Sequence, residues 1–293
     1  MTATFTSTNM FKRTCKTGLR DYMYEKFRRH ISLLLEQKKS RKVSSRKGYL
    51  NPRNLHKYRF SDNIFEKRIS KASSDTTIVF LIDGSGSMDS SASTPVGSYS
   101  ALNICGSVAS AFAKASRTVL NNAIPVEVFI KSAPAYHSSS LTGTDNGSMV
   151  TLTRVFSSSA AKQDYDRLCG MSCSSPLVDQ NSSYVGSFTS EFAVLPALTK
   201  WMKKNIRTKK CIVFNLTDGE SYCSLGKDMY QFGNEDSKAL RLKYLRGIPN
   251  VTLMIGNSYI GLDEMRDVYG DNVLLASDDF SGALFKTFAG FLE

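Results

Sequence analysis

Apolar residues fall along this chain in two rhythms. Met23, Phe27, Ile31, Leu34 and Leu35 share one face at helical spacing, with Lys and Arg between them. That predicts a basic amphipathic helix over about 20–38, packed on a larger body. From Thr76 the rhythm changes. TTIVFLI is continuous and rich in β-branched residues, the pattern of a strand covered on both faces, and it stops at Asp83. Ile104, Val108, Phe112, Ala115 and Val119 then predict a helix over about 99–122, after a Ser-rich loop. IPVEVFI reads as the next strand, and SMVTLTRVF alternates like an edge strand. A short helix is expected in SSAAKQDYDRL, then a long loop to Ser187, then a helix over about 190–206 carrying Phe192, Leu195, Leu198, Trp201 and Met202. KCIVFNLTDGE is a second buried strand that ends in an acid. A helix over about 234–246, the strand NVTLMIG, a short helix near 261–268, the strand NVLLA and a terminal helix FSGALFKTFAGFL complete the series.

Strands alternating with helices imply right-handed crossovers. The expected fold is α/β: a doubly wound, mostly parallel sheet with helices on both faces, spanning residues 76–293. Residues 1–75 are expected to form a basic helical N-terminal extension, with KKSRKVSSRKG as a flexible linker or exposed loop and a short extended segment after it. In such sheets ligands gather at the carboxyl ends of strands, near a topological switch point. Both acid-terminated strands deliver their polar residues there.

Charge sharpens this division. The chain has 293 residues and a formal charge of +12. Residues 1–77 hold 19 Lys and Arg against 6 Asp and Glu, and the rest hold 19 against 20. The basic character therefore belongs to the N-terminal segment, where it suits either solubility or an acidic partner such as nucleic acid. No apolar run approaches the ~18–20 residues of a membrane span, and the first residues lack the apolar core of a signal peptide. A cytoplasmic protein is expected. Six cysteines at irregular spacing (Cys15, Cys105, Cys169, Cys173, Cys211 and Cys223) read as reduced thiols.

The chemistry concentrates in FLIDGSGSM. Asp83, Ser85 and Ser87 alternate with Gly84 and Gly86. Alternate residues of an extended loop point the same way, and glycine admits a tight path between them. Carboxylate, hydroxyl and water together suit a hard divalent cation, Mg²⁺ first or Mn²⁺. These groups leave at least one coordination position for a carboxylate brought by a partner. The histidines (His30, His56 and His137) stand near no nucleophile in an interpretable motif. There is no phosphate-binding G-x-x-x-x-G-K-[ST] and no nucleophile elbow, so no catalytic residue is assigned.

D-G-S-G-S after a buried strand, followed later by L-T-D-G-E, resembles the metal-ion-dependent adhesion site of von Willebrand factor A domains. The family pattern adds a Thr from an intervening loop, for which Thr189 in VGSFTSEF fits best. The resemblance implies that Ser85, Ser87 and Thr189 bind the metal directly, while Asp83 and Asp218 act mostly through metal-bound water. Upstream, Gly48, Leu50, Arg53, Leu55, Phe65 and Arg68 resemble the lead-in of the cobaltochelatase CobT-type subunit, small forms of which occur in bacteriophages. That likeness implies an AAA+ ATPase partner, contributing an acidic residue to the metal, in a chelatase-like or remodelling complex in the cytoplasm (of the host, for a viral protein). Two other expectations stand beside it: a genuine cobalt or magnesium chelatase subunit, and an RNA-associated domain using the basic arm. CobT-type subunits carry a long acidic N-terminal region, whereas this chain has a short basic one.

Overall fold

The run from Thr76 to Asp83 is buried at every position, as a strand must be when both faces of its sheet are covered. The computed structural model describes residues 17–38, 42–45, 49–50, 65–68, 76–120, 124–132, 151–160, 163–171, 194–219, 223–225, 230–232, 234–255, 261–275 and 287. In chain order these form α1 (Gly18–Lys38), β1 (Lys42–Ser45), β2 (Tyr49–Leu50), β3 (Phe65–Arg68), β4 (Thr76–Asp83), a 3₁₀ turn (Gly86–Asp89), β5 (Ser91–Thr94), β6 (Gly97–Ser100), α2 (Ala101–Leu120), β7 (Val126–Ser132), β8 (Thr151–Ser157), α3 (Tyr165–Cys169), α4 (Val194–Asn205), β9 (Lys210–Thr217), β10 (Cys223–Leu225), β11 (Tyr230–Phe232), α5 (Asn234–Tyr244), β12 (Asn250–Met254), α6 (Leu262–Tyr269) and β13 (Val273–Leu275).

Six strands make the main sheet, in the order β13-β12-β9-β4-β7-β8. All pairings are parallel except β7 with β8, so the alternating segment is an antiparallel edge strand. The chain is thus mixed α/β with a mostly parallel sheet. β4 sits centrally, with β7 on one side and β9 on the other, so the strand order reverses beside β4.

Alternation along the central strands divides the core. Ile78, Phe80, Ile82, Phe214 and Leu216 face α1 and α2, while Val79, Leu81, Phe129 and Val213 face α4. Phe80 stacks on Phe214 at 5.4 Å and meets Phe112 edge-on at 5.8 Å. The N-terminal helix belongs to the first of these layers. Leu19, Met23, Phe27 and Ile31 are buried at four-residue spacing, and Phe27 packs edge-on against Phe112 at 5.6 Å. A helix whose apolar stripe is buried this way gains its stability from packing rather than propensity. Arg20, itself buried, pairs with Asp21 and Asp166. Leu34 and Leu35 belong to α1, but their side chains lie outside the described residues.

Three hairpin-like features add to the sequence expectations, and β3 falls in the short extended segment expected after the linker. Within the stretch expected to be a linker, β1 pairs antiparallel with β3, which also pairs with β2. The Ser-rich loop contains the β5–β6 hairpin, closed through Gly97 at φ 127° and Thr94 Oγ1 donating to the Gly97 carbonyl at 2.6 Å. β10 and β11 form another pair. Backbone ladders hold these short strands, and their polar sequences carry no apolar alternation to announce them. The terminal helix expected in FSGALFKTFAGFL lies outside the described residues save Thr287, which is helical. Among the described residues, no helix is long and apolar enough to cross a membrane.

Candidate functional site

β4 and β9 end side by side where the strand order reverses, and each delivers an acid. Asp83 is fully buried. Its Oδ1 accepts a hydrogen bond from the Ser85 backbone N–H at 2.9 Å, and its Oδ2 accepts one from Thr217 Oγ1 at 2.8 Å. Both carboxylate oxygens are therefore held, one by the loop and one by the neighbouring strand. A buried carboxylate needs such donors.

Beyond Asp83 the chain does not stay extended, as the sequence reading supposed. Ser85 is the extended residue before a 3₁₀ turn over Gly86–Asp89. Met88 N–H donates to the Ser85 carbonyl at 3.2 Å and Ser90 N–H to the Ser87 carbonyl at 2.9 Å. The turn, not strand alternation, brings the hydroxyls of Ser85 and Ser87 to 2.9 Å from each other. Ser85 is buried and Ser87 exposed, so the pair leads from Asp83 outward. Met88, fully buried, anchors the turn in the core.

Asp218 follows β9 directly. Burial, then the charge of Asp83, push its carboxyl up to about 6, against the pull of a Ser87 hydrogen bond and of Lys131. Gly219 takes φ 136°, a backbone conformation that favours glycine. Its N–H donates to Thr217 Oγ1 at 3.3 Å, and its carbonyl accepts from Tyr269 O–H at 3.1 Å. Asp83, Ser85, Ser87 and Asp218 thus converge. Thr189 lies outside the described residues.

Two participants were not assigned from sequence. Thr217, the last residue of β9, fixes Asp83. Lys131 is the register partner of Asp83 on β7, and Gly84 N–H donates to its carbonyl at 2.8 Å. The Lys131 side chain is fully buried. Strand alternation sends Asp83, Lys131 and Thr217 to the face of the sheet that α4 covers. A lysine closing the apolar run VEVFI was the sequence signal available, and it went unread because lysine so rarely ends up buried.

The donor set consists of carboxylate and hydroxyl oxygens, which matches a hard divalent cation. Two mutually repelling carboxyl groups, one of them raised, are what such a cation would relieve. Among the described residues no group of three or more His, Cys, Asp or Glu gathers as a metal cluster, so a cation here would depend on the serine hydroxyls and water. Cys105, Cys169 and Cys211 form no disulfide, and burial pushes the Cys211 thiol up to about 12.

No protein-family model matches the chain. No curated protein matches it either. Among solved structures, the chain has a likeness to a pilus adhesin, SpaC from Lactobacillus rhamnosus GG, at a TM-score of 0.41 and 15% identity. The match covers 74% of this chain and 30% of the adhesin. Agreement at that level carries no argument about fold family or function.

Proposed function

We propose that the chain is a metal-dependent protein-interaction module of the von Willebrand factor A type, with a doubly wound sheet. It would bind Mg²⁺, or Mn²⁺, at Ser85, Ser87 and Thr189 with Asp83 and Asp218 behind them. The single observation that supports the reading is Asp83, buried and tied at one oxygen to Ser85 and at the other to Thr217 of the adjacent strand. That tie keeps the two acid-terminated strands and the serine loop in one register. Asp83 is thereby occupied as an orienting group, and the exposed Ser87 hydroxyl and the half-buried Asp218 remain to face a ligand. When bound, the cation supplies a directional attraction for a carboxylate of a partner. The chain's own part is to hold the hydroxyls and acids in place and to keep Asp83 out of water.

The partner that this reading favours is an AAA+ ATPase, as in cobaltochelatase-like or remodelling complexes. The chain itself would be a non-catalytic subunit, whether of bacteriophage or cellular origin. The test is calorimetric titration of Mg²⁺ into the protein, followed by Mg²⁺-dependent capture of an ATPase. Asp218→Ala should lose both and remain folded, since the site lies at a strand end outside the core. Wild-type affinity for Mg²⁺ in that variant, or capture that is unchanged by EDTA, would refute the reading.

A further inference from the structure

The amino ends of the strands carry a second feature, at the opposite edge of the sheet. Residues 76–293 are close to neutral as a sum, yet lysine and arginine gather at this edge, where Asp271 before β13 is an exposed acid among them. Lys200, Lys203 and Lys204 are exposed on α4, which ends at Asn205. Arg207, Lys209 and Lys210, also exposed, follow in the turn that leads into β9. From Lys200 to Thr217 there is no acid. Across the edge, α5 packs beside α4 and carries exposed Lys243 in its last turn, with exposed Arg246 following before β12. No acid lies between Ser237 and Gly261. The acids of α5, Glu235 and Asp236, sit in its first turn, at the other end. Thr208 anchors the turn by a 2.7 Å hydroxyl contact with Thr77 on β4, so the basic edge is built on the sheet.

Helix dipoles account for Lys203, Lys204 and Lys243, which complement carbonyl ends. They do not account for Arg207, Lys210 and Arg246. Placing like charges on one edge costs Coulomb energy unless an anion meets them.

We infer that this edge is a sequence-independent docking surface for the phosphate backbone of double-stranded nucleic acid. Five lysines and one arginine within eleven residues act mainly as point charges, which suits phosphates rather than base edges. A single-strand platform needs exposed aromatic faces. Here Trp201 instead packs on Phe129 at 4.8 Å and Tyr244 is half-buried. A membrane surface calls for apolar insertion as well as charge, and among the large exposed apolar residues described only Leu242 stands on α5. β9 is 8 residues long, which separates this edge from Asp218 by roughly 25 Å. The two surfaces can be occupied at once.

The test is fluorescence anisotropy of a labelled mixed-sequence duplex of about 20 base pairs with the full chain, in EDTA, over about 50–200 mM salt. EDTA keeps the cation site out of the measurement, so failure here leaves the proposed function untouched. The wild type should bind with a steep salt dependence. The quadruple variant Lys203→Gln, Lys204→Gln, Arg207→Gln, Lys210→Gln should flatten the slope of log K against log salt by about 3 to 4. Over a fourfold rise in salt the wild type then loses about a hundredfold more affinity than the variant. The charge-keeping variant Lys203→Arg, Lys204→Arg, Lys210→Arg should keep the wild-type slope, which separates charge from misfolding. A parallel variant with Lys38, Lys39, Arg41 and Lys42 changed to Gln measures the share of the N-terminal arm. The inference is overturned by a wild type that does not bind duplex at the lowest salt, or by a slope unchanged in the quadruple variant. It is overturned equally if polyglutamate or phosphatidylglycerol vesicles displace duplex at equal charge concentration.

Discussion

Replacing Lys131 with Met removes the one fully buried ammonium described beside the acid pair while keeping most of its volume. The wild-type site carries two carboxyl groups and one ammonium. Without a divalent cation, Lys131 is the positive charge drawing on Asp218, and it stands in register beside Asp83. Removing one partner from a buried pair costs about 3–5 kcal/mol. Asp218, already raised to about 6, can relieve part of this by taking up a proton, which puts the expected loss near the lower end, about 3 kcal/mol. A divalent cation changes the balance. It gives the wild-type site a surplus positive charge but makes the variant site neutral, so the variant should bind Mg²⁺ more tightly. In excess Mg²⁺ both proteins gain, so the gap closes by the difference, about 1.4 kcal/mol for each tenfold by which the variant binds the ion more tightly. Urea denaturation in EDTA should therefore show Lys131→Met about 3 kcal/mol less stable than wild type, and the gap should shrink by about 1.4 kcal/mol or more in excess Mg²⁺. An equal gap in both media would mean that the ammonium and the cation do not share a site, and the charge reasoning fails.

Other expectations follow from single contacts. Thr217→Val removes the 2.8 Å donor to Asp83 Oδ2 at nearly constant shape and should cost about 2 kcal/mol, in the range for hydrogen bonds to charged groups; a loss under about 0.5 kcal/mol by urea denaturation would show the tie to be dispensable. Glu127 is buried on β7, hydrogen-bonded by Ser157 Oγ at 2.7 Å and facing Arg154 Nε at 3.0 Å. Burial raises its carboxyl above the ordinary value of 4.5, with Ser157 and Arg154 opposing. The folded state then holds this proton more tightly than the unfolded state, so the contribution of Glu127 is full below 4.5 and is lost as pH climbs through the raised value. Glu127→Gln should flatten the stability–pH curve over that window, and an unchanged curve by thermal denaturation would reject the assignment. Gly106 sits where α2 meets α3, and a Cβ there would run into the Leu168 carbonyl oxygen. Gly106→Ala should lose about 1–3 kcal/mol to overpacking despite the better helix propensity of alanine; a raised melting temperature would show that the helices can part.

Much of the layout was legible because it repeats. Buried parallel strands must be apolar throughout, so TTIVFLI and KCIVFNL announced β4 and β9. Amphipathic helices must repeat their apolar face, so α1, α2 and α4 were placed within a few residues. The acids at the strand ends were visible for the same reason, as polar residues terminating apolar runs. Of the short antiparallel strands only the extended segment holding β3 was legible; the others take their order from backbone ladders, and their side chains have no period. The serine loop was read as extended and is a 3₁₀ turn, because Gly-Ser alternation fits both and only the anchoring of Met88 selects one.

Sequence alone determined the order of the main-sheet strands and the helices between them, the positions of Asp83 and Asp218 at strand ends, and the packing face of the first helix. These depend on local periodicity and on the cost of burying polar groups, and both are written residue by residue. Tertiary structure decided which strands lie adjacent, that Thr217 reaches across 134 positions to hold Asp83, that Lys131 is enclosed with the acids, and that a nearly neutral region is basic along one edge. Charge sums and motif spacing cannot supply those facts. Electrostatic energy depends on distance through space, and only the fold converts separation along the chain into separation in ångströms.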